Sequence, residues 1–246
     1  MSYEIVKDQC KKLKLASLPE ALESQKTIDN IESIPFIDRL SNLFDYELTS
    51  RKTKRIKSLI RNSKMKYDCD LSTIDFSDSR GLSRQQIANL LTGSYLNLGK
   101  NIVIEGATGT GKTYLGCAFG THACRQLKSV LYLRTERLLT NLSVGKKTGD
   151  YEKLMRSLKR IDLLILDDFG MSRYTFEQTK DLMEFIEDRN ESRSTIFLSQ
   201  LASKDWYQLF SDETFADAIM DRIINNSTFI HLKGDSMRKV TNLVEK

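Results

Sequence analysis

Residues 106 to 113 read Gly106-Ala107-Thr108-Gly109-Thr110-Gly111-Lys112-Thr113. They fit the spacing G-x-x-x-x-G-K-[ST], a loop that cradles phosphates. Gly106, Gly109 and Gly111 let the backbone curl until its N–H groups face phosphate oxygens. A helix beginning at the end of the loop adds its partial positive charge. Lys112 is expected to reach the β- and γ-phosphates of ATP, and the Thr113 hydroxyl to bind Mg²⁺. Ile102-Val103-Ile104 reads as a buried strand before the loop, and Thr113-Tyr114-Leu115-Gly116-Cys117-Ala118-Phe119 as a helix after it. The competing reading is a chance match in a glycine-containing turn. A strand before and a helix after weigh against it.

A second acidic element agrees with the first. Leu163-Leu164-Ile165-Leu166-Asp167-Asp168 is an apolar strand ending in two carboxylates, a Walker B pattern. Asp167 is placed to hold Mg²⁺, and Asp168 to orient or deprotonate the attacking water. A pair of helix-capping aspartates is the bland alternative. Most ATPases of this kind carry Glu at the second position. Asp168 is one methylene shorter, which predicts slow hydrolysis or a geometry completed by a partner.

These loops need a sheet to hold them. After residue 83, apolar runs of strand length alternate with helical stretches. The runs are Asn101–Glu105, Val130–Arg134, Leu163–Asp167, Thr195–Ser199 and Thr228–Leu232, and helical patterns fill the gaps, notably 112–127, 175–190, 203–210 and 214–225. Such alternation implies an α/β fold with a five-stranded parallel sheet covered on both faces. One full strand pattern, 130–134, stands between the P-loop and Walker B strands in the chain. That favours ATPases with an inserted strand over simple nucleotide kinases and GTPases, and no guanine-reading N-K-x-D sequence is present.

The first 66 residues read differently. Leu13, Leu15, Leu18 and Leu22 form one apolar series broken by Pro19, and Pro35 precedes a second helix carrying Phe36, Leu40, Leu43 and Phe44. The expected organisation is a helical domain over 1–66, a polar linker over 67–82 and an ATPase domain over 83–246. The stretch 51–66 holds Arg51, Lys52, Lys54, Arg55, Lys57, Arg61, Lys64 and Lys66 with no acidic residue. On a helix, Ile56, Leu59 and Ile60 would make a narrow apolar stripe and leave the remaining surface positive. Such a surface suits sequence-independent contact with the DNA backbone. A solvated lysine-rich face without a ligand fits the charge equally well.

Composition sets the outer bounds. The 246 residues carry a net charge of +5, a mild excess that permits a polyanionic partner without requiring one. No stretch is apolar and long enough to span a bilayer, and the first residues lack a secretory pattern, so the expected location is the cytosol. Cys10, Cys69, Cys117 and Cys124 form no C-x-x-C pair and read as buried free thiols. His122 and His231 are too few for a zinc site or a histidine triad.

Taken together, the chain resembles the AAA+ helper ATPases of bacterial insertion sequences, the IstB group, and more broadly the DnaC-type helicase loaders. The resemblance covers nearly the whole sequence. Leu166-Asp167-Asp168-Phe169-Gly170 resembles the family's Walker B continuation. Phe197-Leu198-Ser199-Gln200-Leu201 resembles its sensor 1 strand. Ala216-Asp217-Ala218-Ile219-Met220-Asp221-Arg222-Ile223 resembles its arginine-finger box, and Lys233-Gly234-Asp235-Ser236-Met237-Arg238-Lys239 its sensor 2 segment. Glu47, Arg51 and Arg55, followed by Asp75-Phe76, also look like the group. The resemblance implies that Gln200 bonds the γ-phosphate or the lytic water, that Arg222 enters a neighbouring subunit's site, and that Arg238 contacts ATP from its own chain. It implies a minimal C-terminal lid after Leu232, a homo-oligomeric ring or filament on duplex DNA, and a transposase partner. Taken singly, Arg222 and Arg238 read as surface charges and Gln200 as a strand cap. A DnaC-like helicase loader acting on single-stranded DNA and a small-molecule kinase remain as rival readings. The sequence shows no acceptor pocket or substrate-closing lid for the kinase.

Overall fold

The computed structural model describes residues 3–71, 74, 76 and 80–237. Packing divides the chain into two compact units, Met1–Ser58 and Leu59–Lys246. The division falls within a long helix, eight residues before the expected bound at 66.

The first unit contains α1 (Tyr3–Lys12), α2 (Leu18–Gln25) and the greater part of α3 (Phe36–Asn62). Pro19 does not break a helix as the leucine series suggested. It sits in the first turn of α2, where a missing N–H costs nothing. Leu13 and Leu15 fall in the turn between α1 and α2. The apolar core here is slight, chiefly Cys10, Ala21 and Leu43. Polar bonds supplement it. Glu47, buried on α3, accepts from the Ser17 backbone N–H at 2.7 Å and from Arg51 Nε at 2.7 Å, and Arg51 Nη2 donates to the Lys14 carbonyl at 2.5 Å.

The second unit opens with Leu59 and Ile60, which pack against the sheet's core. Helix α3 stops at Asn62, so Lys64 and Lys66 lie beyond the helix that the basic stretch suggested. Ser63 turns the chain out: its hydroxyl donates to the Ile60 carbonyl at 2.6 Å, and Lys64 adopts φ 57°. Ser63's carbonyl then accepts from Tyr132 N at 2.8 Å. Within the expected linker at 67–82, several of the described residues pack on the sheet's core. Cys69 and Leu71 are buried, and Ile74, Phe76 and Leu82 pack on the same core.

Then follow α4 (Arg84–Leu91), α5 (Ser94–Asn97), β1 (Asn101–Gly106), α6 (Lys112–Arg125), β2 (Val130–Arg134), α7 (Thr135–Thr148), α8 (Tyr151–Arg160), β3 (Leu163–Asp167), α9 (Phe176–Arg189), β4 (Ser194–Ser199), α10 (Glu213–Ile224) and β5 (Ser227–Leu232). The five strands run parallel in the order β2-β3-β4-β1-β5. The region 203–210 forms two short 3₁₀ turns rather than a helix, and they bury Trp206 and Leu209.

Period-two alternation splits the strand residues between two core layers. Ile102, Ile104, Leu163, Ile165, Ile196 and Leu198 face the layer containing α6, whereas Val103, Leu164, Leu166 and Phe197 face the layer of α7 to α10. Because both faces are covered, the central strands β3 and β4 are buried throughout and read as near-continuous apolar runs, whereas the edge strands β2 and β5 are only partly buried. Helix α6 lies close on the sheet through two glycines. A Cβ at Gly116 would stand 3.0 Å from Leu198 Cδ1, and one at Gly120 only 2.9 Å from Ile165 Cδ1.

Candidate nucleotide site

A parallel sheet gathers its loops at the C-terminal ends of the strands, and the site forms there. The P-loop leaves β1, and the Walker B carboxylates end β3. Strand β2, which separates them in the chain, sits at the sheet edge. The strand between them in space is β4. Gln200 follows β4 directly, which brings it between the phosphate loop and the acidic pair.

The loop's glycines take backbone conformations that side chains resist, with φ 86° at Gly109 and 93° at Gly111, the N-cap of α6. Lys112 folds back into the loop, and its Nζ donates to the carbonyls of Gly106 at 2.7 Å and Ala107 at 2.8 Å. Thr113 Oγ1 donates to Asp167 Oδ2 at 2.9 Å. The hydroxyl and the carboxylate together offer an all-oxygen pair, the donor chemistry a hard divalent cation takes. Thr108 Oγ1 donates to Gln200 Oε1.

Asp167 is 6% exposed and well held. Its Oδ2 also accepts from the Tyr132 hydroxyl at 2.6 Å, its Oδ1 from the Asp168 N–H at 2.9 Å, and its carbonyl from Thr135 Oγ1 at 3.0 Å. Burial, and then the bond to Asp167, hold the Tyr132 phenol above the ordinary tyrosine range. Asp168 sits at φ 56°, a left-handed turn that Asp tolerates better than most residues. Its carboxylate lies 3.6 Å from Arg134 Nε at the end of β2. Beneath the pair, Phe169 is fully buried against Phe197 and Trp206, with ring centroids 5.1 and 4.6 Å away. Phe169 N donates to the Leu198 carbonyl at 2.9 Å, and Ser199 Oγ donates to the Phe169 carbonyl at 2.8 Å. Trp206 Nε1 donates to the Leu201 carbonyl at 3.1 Å, so one aromatic cluster fixes the loops bearing Asp168 and Gln200. Glu105, at the end of β1, adds a further tie by accepting from Ser203 N at 2.6 Å.

These residues line a cavity of about 400 Å³. Thr108, Gly109, Gly111, Lys112, Thr113, Asp167, Asp168 and Gln200 form its polar end. Tyr67, Ile74, Leu82 and Leu232 give it an apolar wall of the kind that takes a base, and Arg80 stands in its lining. Gly106, Ala107 and Thr110 belong to the same loop without lining the cavity. The wall from 67 to 82 escaped the sequence reading because its few apolar residues are scattered through a polar stretch with no periodicity. Tyr132 and Arg134 escaped it because nothing in the sequence says which strand adjoins Walker B, although their place on a predicted strand was visible.

The other expected positions fall elsewhere. Arg222, on α10, does not line the cavity; its Nε bonds Glu187 on α9 and its Nη1 donates to the Ala218 carbonyl at 3.0 Å. Arg238 and Asp75 lie outside the described residues, as does the part of the expected lid (after Leu232) from residue 238 onward. All eight basic side chains from Arg51 to Lys66 are exposed. Two of them are engaged within the first unit: Arg51 as described, and Lys54, whose Nζ donates to Ser17 Oγ at 3.2 Å.

A phosphate loop, an acidic strand end beyond one intervening strand and a polar residue just past that strand mark this fold as a P-loop ATPase of the AAA+ class. Its likeness to solved structures supports the same architecture. The DnaC helicase loader matches with a TM-score of 0.56 over 69% of this chain and 99% of that one at 20% identity. DnaI matches with a TM-score of 0.59 over 72% and 94% at 20% identity. The sequence pattern of the IstB-like ATP binding protein family covers residues 8–244, and the chain belongs to that family. Among its relatives, an insertion sequence ATP-binding protein of Sinorhizobium fredii is 34% identical over 94% of this chain and 95% of its own length. The ATP-binding protein of insertion sequence IS1162 of Pseudomonas fluorescens is 40% identical over 79% and 85%. Among the described residues, no helix is long and apolar enough to cross a membrane.

Proposed function

We propose that this ATPase is an ATP-controlled helper of transposition that assembles on duplex DNA and assists a transposase. The observation that carries the proposal is that the basic stretch supplies exposed, unpaired cations on each unit. Lys52, Arg55 and Lys57 on the first unit and Arg61 and Lys64 on the second are exposed, and none forms an ion pair among the described residues. Phosphate contacts of this type are sequence-independent and salt-sensitive. Relatives named for insertion sequences support transposition as the setting, and DNA as the ligand puts the working protein in the cytosol.

In this reading Mg²⁺ is held by Thr113 and Asp167, with Lys112 released from the loop carbonyls to the nucleotide's β- and γ-phosphates. Asp168 and Gln200 orient the attacking water. Arg222 lies away from its own chain's cavity, which suits a residue that serves a neighbouring subunit in a ring or filament. Leaving Glu187 for the neighbour's phosphates would then tie oligomer assembly to the presence of ATP. Arg238 is proposed to contact the same chain's ATP, on the sensor 2 resemblance.

Sedimentation with duplex DNA under ATP, ADP and no nucleotide tests this. The wild type should form large complexes with ATP alone. Lys112→Ala should abolish them, and Lys52→Glu combined with Arg55→Glu, Lys57→Glu and Arg61→Glu should abolish them while leaving ATP binding intact. The logarithmic salt dependence of the wild type should be steep, falling by about 0.9 for each phosphate contact removed. A protein that stays monomeric and ignores duplex DNA in every nucleotide state defeats the proposal. Preference for single-stranded DNA would transfer it to helicase loading.

A further inference from the structure

Arg80 is a cation in the wall of the nucleotide cavity. The residue is 9% exposed. Its Nη2 donates to the Thr110 carbonyl of the P-loop, and its Nε, shielded from solvent, has no hydrogen-bond partner. Among the described residues no carboxylate pairs with it, although Asp167 and Asp168 line the same cavity. A buried guanidinium left this way is costly unless an anion completes it.

Its position indicates which anion. A Cβ at Gly111 would lie 3.2 Å from Arg80 Nη2. Gly111 is the N-cap of α6, where the helix end and the loop's N–H groups attract phosphate. The segment carrying Arg80 is fastened in place, since the Arg80 carbonyl accepts from Lys233 N at 3.0 Å just past β5. Two residues on, Leu82 belongs to the apolar wall. Arg80 therefore stands where the helix N-terminus meets the apolar part of the cavity.

We infer that Arg80 is a nucleotide-binding residue, a cation supplied by the chain's own 67–82 segment to the α- and β-phosphates of a bound nucleoside di- or triphosphate. Its planar fork can hold the Thr110 carbonyl with one nitrogen and turn the others to phosphate oxygens. The segment that shapes the base wall thus also reads the phosphate. The inference rests on ATP binding and is independent of the DNA reading.

Titration of wild type, Arg80→Met and Arg80→Lys with ADP, ATP and adenosine tests it. Loss of one charge-assisted contact predicts that Arg80→Met binds ADP and ATP on the order of tenfold more weakly. Adenosine affinity should be unchanged, and the salt dependence of ADP binding should become shallower. Lysine keeps the charge and loses the fork, so Arg80→Lys should fall between. ADP affinity equal to wild type in Arg80→Met overturns the assignment. So does an equal loss for ADP and adenosine with the salt dependence retained, which marks a residue that only braces the loop. Should Arg80→Met fail to fold, Arg80→Lys decides: severalfold weaker ADP binding with unchanged adenosine affinity supports the role, and unaltered ADP affinity overturns it. Failure of the wild type to bind ADP would instead count against the nucleotide site itself.

Discussion

Replacing Tyr132 by phenylalanine removes one hydroxyl and leaves the ring in place. That hydroxyl donates to Asp167 Oδ2 at 2.6 Å, and the carboxylate it serves is 6% exposed. A hydrogen bond to a charged group contributes about 1.5–3 kcal/mol. Thr113 still donates to the same oxygen, and Tyr132 is only half-buried on an edge strand, so the lower end applies, about 1.5 kcal/mol at neutral pH. For a chain of this size that is a fall in Tm of about 3–6 °C. The pH dependence follows from the raised phenol pKa. A group that holds its proton more tightly when folded contributes stability that is complete below its unfolded pKa, about 10 for tyrosine, and is lost as pH rises beyond it. Wild type should therefore lose up to about 1.4 kcal/mol per pH unit there from this one group, and the variant should not. Urea unfolding followed from pH 7 to pH 11 reads both effects. The gap between the two proteins should be widest near neutrality and close above pH 10. Equal midpoints at pH 7 with parallel alkaline limbs would refute the claim that Tyr132 holds the carboxylate.

Glu47 makes the opposite prediction on the acid side. Burial alone would raise its pKa, but the Arg51 guanidinium and the N–H groups of Ser17 and Leu18 more than offset this and hold it below the usual carboxylate range. Its stabilisation is present above the unfolded value near 4.5 and is lost as pH falls through the depressed folded value. Glu47→Gln should cost about 1–2 kcal/mol at pH 7 and flatten the acid limb of helix content measured by circular dichroism, and an unchanged acid limb would count against it. Gly120→Ala should lower stability by about 1 kcal/mol although alanine is the better helix former, because its Cβ would meet Met65 Sδ and Ile165 Cδ1. Pairing it with Met65→Ala should recover part of the loss, a coupling that thermal melts of the four proteins would measure.

What the sequence determined by itself follows from local rules. Strand-length apolar runs alternate with helical stretches, so five strands were legible to within a residue at most ends, even at the partly buried edges β2 and β5. The loop of Gly106 to Thr113 and the pair Asp167-Asp168 were legible because phosphate and hydrolytic chemistry demand those residue types at fixed spacing. The break of α3 after Asn62 was not visible, since it depends on Ser63 reaching edge strand β2, a contact made across the fold. Nor could Tyr67, Ile74 and Leu82 be read as anything but isolated apolar residues in a polar chain, because they acquire a role only when the fold brings them to the nucleotide cavity. The sequence named Asp167. Only the tertiary structure, by laying β2 beside β3, made Tyr132 its hydrogen-bond donor and set Arg134 beside Asp168. By closing residue 80 onto the P-loop it left Arg80 beside the N-terminus of α6, with no carboxylate partner among the described residues. Spacing along the chain records what one loop must do, whereas the partners that one strand or segment lends another are decided by which elements pack together.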